Sequence, residues 1–308
     1  MTSKAPIPRL TVGFPVYNGE RWAAEALESV INQTFTDWRM IICDNASTDR
    51  TGEICRGFAE RDSRIRYIRN GENIGLTRNF NKAFELSNSE YFKWIAHDDI
   101  CLPTFFERCI EALDANPSAA IAYPLGRAID GNSNFLDDRY DWTHPQRYDQ
   151  PSAAERFKLL TANFDRLNRG GIQHPGIYFF SVMRSSLLRK TRLQRSHMWS
   201  DVSMIAELAL EGPFIEVPEV LSLMRVEIPH ASAMMLQRNL QGWQEILDPR
   251  YATKFGTLVS RYWRYWEYFV SVGRSDLGLA AKTRLMGFCT TLVARRAYDL
   301  TVRGQSRT

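Results

Sequence analysis

Short apolar segments alternate with amphipathic ones four times in the first ~125 residues, and each apolar segment ends in polar or acidic residues. Segments 10–16, 38–43, 65–68 and 91–96 read as strands, the first of them buried. Segments 20–33, 52–61 and 75–86 read as helices. In the first of these, Trp22, Ala26, Leu27, Val30 and Ile31 recur at helical spacing. A further helix, with proline in its first turn, is expected at 103–113, and another strand at 119–123. This order specifies a mostly parallel sheet covered by helices on both faces. In such sheets a ligand lies beyond the carboxyl ends of the strands. Here those ends carry Pro15-Val16-Tyr17-Asn18, Asp44-Asn45, residues 70–73 and His97-Asp98-Asp99, so polar groups collect at the edge where a ligand belongs.

Beyond residue 130 the rhythm breaks. Residues 130–150 read as loop, 153–163 as helix, 168–176 as turn-rich, 177–183 as strand, 201–210 as helix and 221–226 as strand. From 234 the chain reads as helical almost to its end. A chain of 308 residues with 44% hydrophobic side chains can fill a core for this much structure. The expected division is a catalytic domain at 1–233 (donor half 9–130, acceptor half 131–233) and a helical C-terminal extension at 234–308. A net charge of +4 gives a nucleic-acid partner no support. The five cysteines are odd in number and lack C-x-x-C spacing, which argues against a disulfide framework or zinc knuckle and fits a reducing cytoplasm. Neither a secretory signal nor an apolar run of about eighteen residues is visible.

Asp98-Asp99 is the sharpest chemical signal. Two adjacent carboxylates closing an apolar strand are costly unless a positive group arrives. Mn²⁺ or Mg²⁺ bound to a diphosphate meets that need, because such cations take one or two carboxylates plus phosphate oxygens. The plainer alternative is a solvated capping pair ahead of the 103–113 helix.

Three further segments accompany this pair. Residues 24–38, with Gln33-Thr34 and Trp38, follow Pro15-Val16-Tyr17-Asn18. Then come Asp44-Asn45-Ala46-Ser47-Thr48-Asp49-Arg50-Thr51 and Asn73-Ile74-Gly75-Leu76-Thr77-Arg78-Asn79. In this order they resemble the motifs of the family 2 inverting glycosyltransferases. These have the GT-A fold, a Rossmann-like mixed sheet with helices on both faces. The resemblance covers about residues 9–130 and continues more weakly to about 230. It implies a nucleotide-sugar donor, with a UDP-sugar favoured, and a glycan or lipid-linked acceptor in cell-surface polysaccharide synthesis.

The resemblance also implies roles. Pro15, Tyr17 and Glu20 would line the nucleotide pocket, and Asp44 would accept a hydrogen bond from the base. Arg78 would meet the diphosphate or hold the site's carboxylates, with a surface ion pair as its alternative, and a helix N-terminus near Gly75 would assist. Asp98 would contact ribose or sugar hydroxyls, and Asp99 would bind the metal. His97 stands where the family has its first aspartate; it could bind metal, bond the ribose or fill space, and a non-ligand role is favoured. Asp201 is the candidate base that deprotonates the acceptor hydroxyl, with Ser200 replacing the family's Glu; capping of the helix is its alternative. Glu227 or His230 could supply a further metal ligand. His174 and Trp199 would build the acceptor site, with core packing as the alternative for Trp199.

From Arg274 onward seven Lys or Arg face two Asp, interleaved with Leu285, Phe288, Leu292 and Val293. Such a basic amphipathic end suits either a peripheral membrane contact through 257–308 or packing on the catalytic domain, which is slightly favoured. Two other functions stay open: a non-catalytic nucleotide-sugar-binding or assembly protein, and a nucleotidyltransferase. The second would want a glycine-rich phosphate loop, which Val12-Gly13-Phe14-Pro15 does not provide.

Overall fold

The computed structural model describes residues 6–136, 141–142, 145–167, 176–226, 246–251 and 254–305. Strand β1 (Leu10–Val16) is buried along its whole length. It lies between β2 (Trp38–Asp44) and β4 (Tyr91–Trp94), parallel to both, and β3 (Ile65–Arg69) extends the parallel set outside β2. The remaining strands are β5 (Ile100–Cys101), β6 (Ile121–Ile129), β7 (Asp141–Trp142), β8 (Val182–Arg184) and β9 (Phe214–Arg225). One sheet runs β3-β2-β1-β4-β8-β6-β9-β5, with β7 paired to β6. β8 is antiparallel to both β4 and β6, whereas β6 and β9 are parallel.

Chain order reverses between β1 and β4, since β2 and β3 lie on the other side of β1. That reversal opens a crevice at the strand ends. Pro15 suits this place. β4 pairs with β1 only from Leu10 to Gly13, so the missing N–H of Pro15 breaks no ladder bond on that side.

Helices α1 (Ala23–Ile31), α2 (Thr51–Arg61) and α4 (Phe105–Ala115) cover one face. Ala23, Leu27, Val30, Cys55, Phe58, Phe105 and Ile110 join Leu10, Val12 and Phe14 in one core. The other face is covered by α3 (Leu76–Glu85), α5 (Ala153–Leu167), the short α6 (Gly176–Phe179) and α7 (Ser185–Leu188), and α8 (Ser200–Glu211).

The segment expected as a strand at 177–183 is instead the helical turn α6 followed by β8. Apolar runs of this length carry no period that separates helix from strand. The helical turn lets Phe179 stack on Trp94 with centroids 4.9 Å apart, and sets Tyr178 edge-on against Tyr123. The strands expected at 119–123 and 221–226 are parts of the longer β6 and β9.

The C-terminal helices α9 (Lys254–Arg274) and α10 (Leu279–Gln305) pack against the other elements of the second face: α9 against α8, and α10 against α9 and α5. Leu285, Cys289 and Leu292 on α10 face inward with Tyr265, Tyr268 and Val272 on α9. A buried ionic network fixes α9 in place. Glu207 on α8 accepts from the Arg192 Nε and backbone N–H, both at 2.7 Å, and from Ser271 on α9. Arg192 also meets Glu267 on α9 at 2.5 Å. All five cysteines are buried, and none is in a disulfide. Among the described residues no helix is long and apolar enough to cross a membrane.

Candidate active site

The loops after β1 and β2 are zipped together by their own side chains. The Asn18 N–H donates to Ser47 Oγ at 3.0 Å, and Asn18 Oδ1 accepts the Thr48 N–H at 2.8 Å. The Gly19 N–H donates to Thr51 Oγ1, and Glu20 accepts the Arg50 N–H at 3.0 Å, where α2 begins. Asn18 and Ala46 both lie in the left-handed region, at φ 50° and 64°, a cost that tight functional loops carry. Tyr17 projects from this pair of loops with 43% of its surface exposed, so its ring is open to a planar ligand. Pro15 is buried and Glu20 exposed.

Asp44 forms the floor and is fully buried. Its Oδ1 accepts the Ser47 N–H. Its Oδ2 accepts the Tyr67 hydroxyl at 2.6 Å and Arg69 Nη1 at 2.7 Å. Burial alone would raise this carboxyl, but the bonds from Ser47, Tyr67 and Arg69 outweigh it and hold the group ionised below the usual carboxylate range. The group that meets solvent here is Arg69, whose side chain is 42% exposed. Sequence reading passed over Arg69 and Tyr67, although Arg69 closes β3 on the ligand edge.

The Asn73–Asn79 motif serves largely as scaffold. Asn45 Oδ1 accepts the Ile74 N–H, Asn73 Oδ1 accepts the Gly75 N–H, and Asn79 donates to the Cys43 carbonyl. Gly75 has φ +85°, and a Cβ there would lie 2.7 Å from the Leu247 carbonyl oxygen. The Ile74 and Gly75 N–H groups that precede α3 are thus engaged, and the Leu247–Pro249 backbone lies against Gly75 at the start of the helix. Arg78 is exposed on α3, with no ion pair among the described residues. One turn on, Asn81 bonds Gln194 in both directions, tying α3 to the segment that leads into α8.

His97 packs its ring against Gly19, where a Cβ would stand 2.5 Å from the imidazole. The donor loop and the residue before the aspartate pair thus interlock. Asp98 and Asp99 lie half-buried in the crevice between β1 and β4. Asp99 Oδ1 accepts the Arg225 backbone N–H at 3.0 Å. Enclosure of the Asp99 carboxyl, and then the neighbouring Asp98 charge, push its pKa well above the usual carboxylate range. No ion pair to this carboxyl occurs among the described residues; the Lys93 and Arg225 charges oppose the rise only from a distance. Two such aspartates, with Asp99 Oδ2 accepting no hydrogen bond among the described residues, fit a hard cation shared with phosphate oxygens. No cluster of three His, Cys, Asp or Glu suited to a metal occurs among the described residues. Glu227, His230 and His174 lie outside the described residues.

Asp201 stands in the first turn of α8, half-buried. Burial pushes its pKa up to about 6, against the pull of the backbone N–H groups of Val202 and Asp201. Trp199 precedes it at φ 65°, an unusual backbone for a bulky residue, with its ring edge-on to Phe164 at 5.4 Å. Behind this turn His197 is buried and held neutral. Enclosure lowers its pKa to about 4 despite Glu267 at 4.0 Å, whose charge is already met by Arg192.

The family model described as "Glycosyl transferase family 2" matches residues 11–191. The chain belongs to this family. It is a glycosyltransferase, and its sheet with a helical C-terminal extension is a GT-A fold. A chondroitin synthase of Escherichia coli is 30% identical over 166 residues, 53% of this chain but 24% of that protein. An uncharacterized glycosyltransferase of Methanocaldococcus jannaschii is 26% identical over 194 residues, 62% of this chain and 61% of that one. The chain therefore spans less than two thirds of either relative. Among solved structures, S. aureus TarS 1–349 in complex with UDP superposes with TM-score 0.61 at 14% identity, covering 90% of this chain and 69% of that one. The mannosyltransferase PcManGT from Pyrobaculum calidifontis, in complex with GDP-Man and Mn²⁺, gives TM-score 0.55 at 16% identity, covering 96% and 81%.

Proposed function

We propose that this glycosyltransferase moves a sugar with inversion from a UDP-sugar to a glycan or lipid-linked acceptor during cell-surface polysaccharide synthesis on the cytoplasmic side. The carrying observation is that Tyr17, the Arg69-capped Asp44 and the Asp98-Asp99 pair all follow or close the carboxyl ends of β1, β2 and β4, at the edge where the chain order reverses. Uracil presents an N–H flanked by two carbonyls, which complements a carboxylate with a guanidinium beside it. Tyr17 would stack on the base, with Pro15 and Glu20 shaping the pocket. Arg78 would reach the diphosphate, and Asp98 the ribose or sugar hydroxyls. Polysaccharide synthesis is supported by the chondroitin synthase relative, and a UDP donor by the UDP complex of TarS.

Asp99, with Asp98 beside it and Glu227 or His230 as further candidates, would hold Mn²⁺ or Mg²⁺. When bound there, such a cation supplies charge neutralisation on the departing nucleoside diphosphate. Asp201 takes the proton of the acceptor hydroxyl as that oxygen attacks the anomeric carbon from the face opposite the diphosphate. A base with pKa about 6 is well matched to this task near neutral pH. Trp199, and His174 with it, would present the acceptor to that base. Contact with a membrane surface would fall to the exposed Trp263 and Trp266 of α9 and the basic residues of α10, because the apolar residues of α10 at 285, 289 and 292 face the protein.

A product assay tests the reading. Incubation with a panel of UDP-sugars and Mn²⁺ is expected to release UDP, by slow donor hydrolysis even without acceptor. Release of UMP and sugar phosphate would instead mark cleavage of the diphosphate bond and overturn it.

A further inference from the structure

Arg225 closes β9, and its side chain is only 1% exposed. All five of its guanidinium N–H donors have partners. Nε donates to the Asp98 carbonyl at 3.0 Å. Nη1 donates to the Asp130 carbonyl at 2.7 Å and to Ser133 Oγ, and Nη2 to Glu25 Oε2 at 2.6 Å and to Ser133 Oγ. Ser133 in turn donates to Glu25 Oε1 at 2.8 Å, from a turn that its own φ of 66° makes possible. The Trp22 ring lies 5.4 Å from the guanidinium, and its Nε1 holds the Gly131 carbonyl. The Arg225 backbone N–H also fixes Asp99 Oδ1.

One residue therefore joins four segments around the crevice: the start of α1, the turn after β6, the end of β9 and the aspartate pair. It holds the peptide between Asp98 and Asp99 by its carbonyl and one oxygen of the Asp99 carboxylate by a second bond. The other Asp99 oxygen is left to face an incoming cation. Lysine could replace the charge but not the fork, because an ammonium cannot span Asp98, Asp130 and Glu25 together.

We propose that Arg225, supported by Glu25 and Ser133, is the positioning residue that presets the Asp99 carboxylate for its metal. This rests on Asp99 being the metal ligand. Outer partners of a ligand set its orientation, and their loss typically costs about 10–100-fold in metal affinity. Every guanidinium donor of Arg225 is taken by protein, so its loss should act on metal binding more than on the chemical step.

The test is Mn²⁺ binding in the presence of saturating UDP, followed by the electron paramagnetic resonance signal of free Mn²⁺, for wild type, Asp99→Asn, Arg225→Lys and Glu25→Gln. Donor turnover against Mn²⁺ concentration runs alongside. Arg225→Lys is expected to raise the Mn²⁺ dissociation constant about tenfold or more, with turnover at saturating Mn²⁺ falling less than threefold. Glu25→Gln, which keeps Arg225 in place, should give a smaller shift in the same direction. It stands in if Arg225→Lys fails to fold. If Asp99→Asn leaves Mn²⁺ binding intact, the metal-ligand reading itself fails. If Asp99→Asn abolishes binding while Glu25→Gln and a folded Arg225→Lys bind Mn²⁺ as wild type does, or lose only turnover, the ligand reading survives and the positioning role is overturned.

Discussion

Replacing Asp201 by asparagine is expected to abolish transfer and yet make the fold more stable. The carboxyl is pushed from an ordinary 3.8 up to about 6 by burial. A raised acid pKa means that the folded state holds a proton which the unfolded chain releases between those values. Asp201 therefore costs nothing below about pH 3.8, and its full cost is present above about pH 6. Roughly two units correspond to about 3 kcal/mol at 1.36 kcal/mol per unit. That figure already contains the pull of the N–H groups at the start of α8, so a net gain of about 3 kcal/mol is the working figure for Asp201→Asn. Asparagine keeps the shape and can still accept the Val202 N–H. Urea unfolding at pH 7.5 should show the gain, and at pH 4 the two proteins should unfold together. Turnover should fall about 10²–10⁴-fold, the usual loss of a general base. The wild-type kcat/KM should decline below about pH 6 with a slope of one. An asparagine variant no more stable than wild type at pH 7.5, or an acid limb near pH 4, would mean that the carboxyl is solvated and the reasoning wrong.

Two further outcomes follow from the C-terminal helices. Glu207→Ala strands Arg192, whose side chain is 17% exposed, and should cost about 3 kcal/mol in urea unfolding, at the low end for a broken buried pair because Glu267 remains. A double-mutant cycle with Arg192→Met should show coupling of at least about 1 kcal/mol, and additivity would remove the network from the account. Trp266, 60% exposed on α9, should anchor the protein to vesicles containing anionic lipid. Trp266→Ala should weaken co-sedimentation without lowering the melting temperature, and undiminished co-sedimentation would take that residue out of any membrane contact.

The donor half was legible because its information is local. β1, β2 and β4 are short, mostly apolar and almost wholly buried, β3 is half-apolar, and the last residues of each fall on the ligand edge. Asp44, Asp98 and Tyr17 could be named on that ground alone. The region after residue 130 was harder, because its elements are defined by partners far away in sequence. The run at 177–183 divides into α6 and β8 only because Phe179 must stack on Trp94 while Val182–Arg184 fills the gap between β4 and β6. Arg225 was visible as a letter beside Glu227, but its bond to Asp99 spans 126 positions and no local pattern announces it. The cap that Arg69 places on Asp44 was missed for a milder reason. Its register on β3 put it on the right edge, but its bond to Asp44 spans 25 positions and depends on how β3 packs beside β2. In α10 the basic residues left a membrane contact open, but the apolar spacing already favoured packing on protein slightly, and Leu285, Cys289 and Leu292 do face inward.

The central claim is a nucleoside diphosphate site whose affinity depends on a metal held by Asp99. Its most direct test is the melting temperature of the wild type and of Asp99→Ala against UDP, GDP, ADP and CDP, each with and without Mn²⁺. A ligand at 100 times its dissociation constant adds about 2.7 kcal/mol to the folded state. The account predicts a clear upward shift with UDP that requires Mn²⁺ and disappears in Asp99→Ala. No shift with any nucleotide, or a shift indifferent to Mn²⁺ and to Asp99, would contradict it.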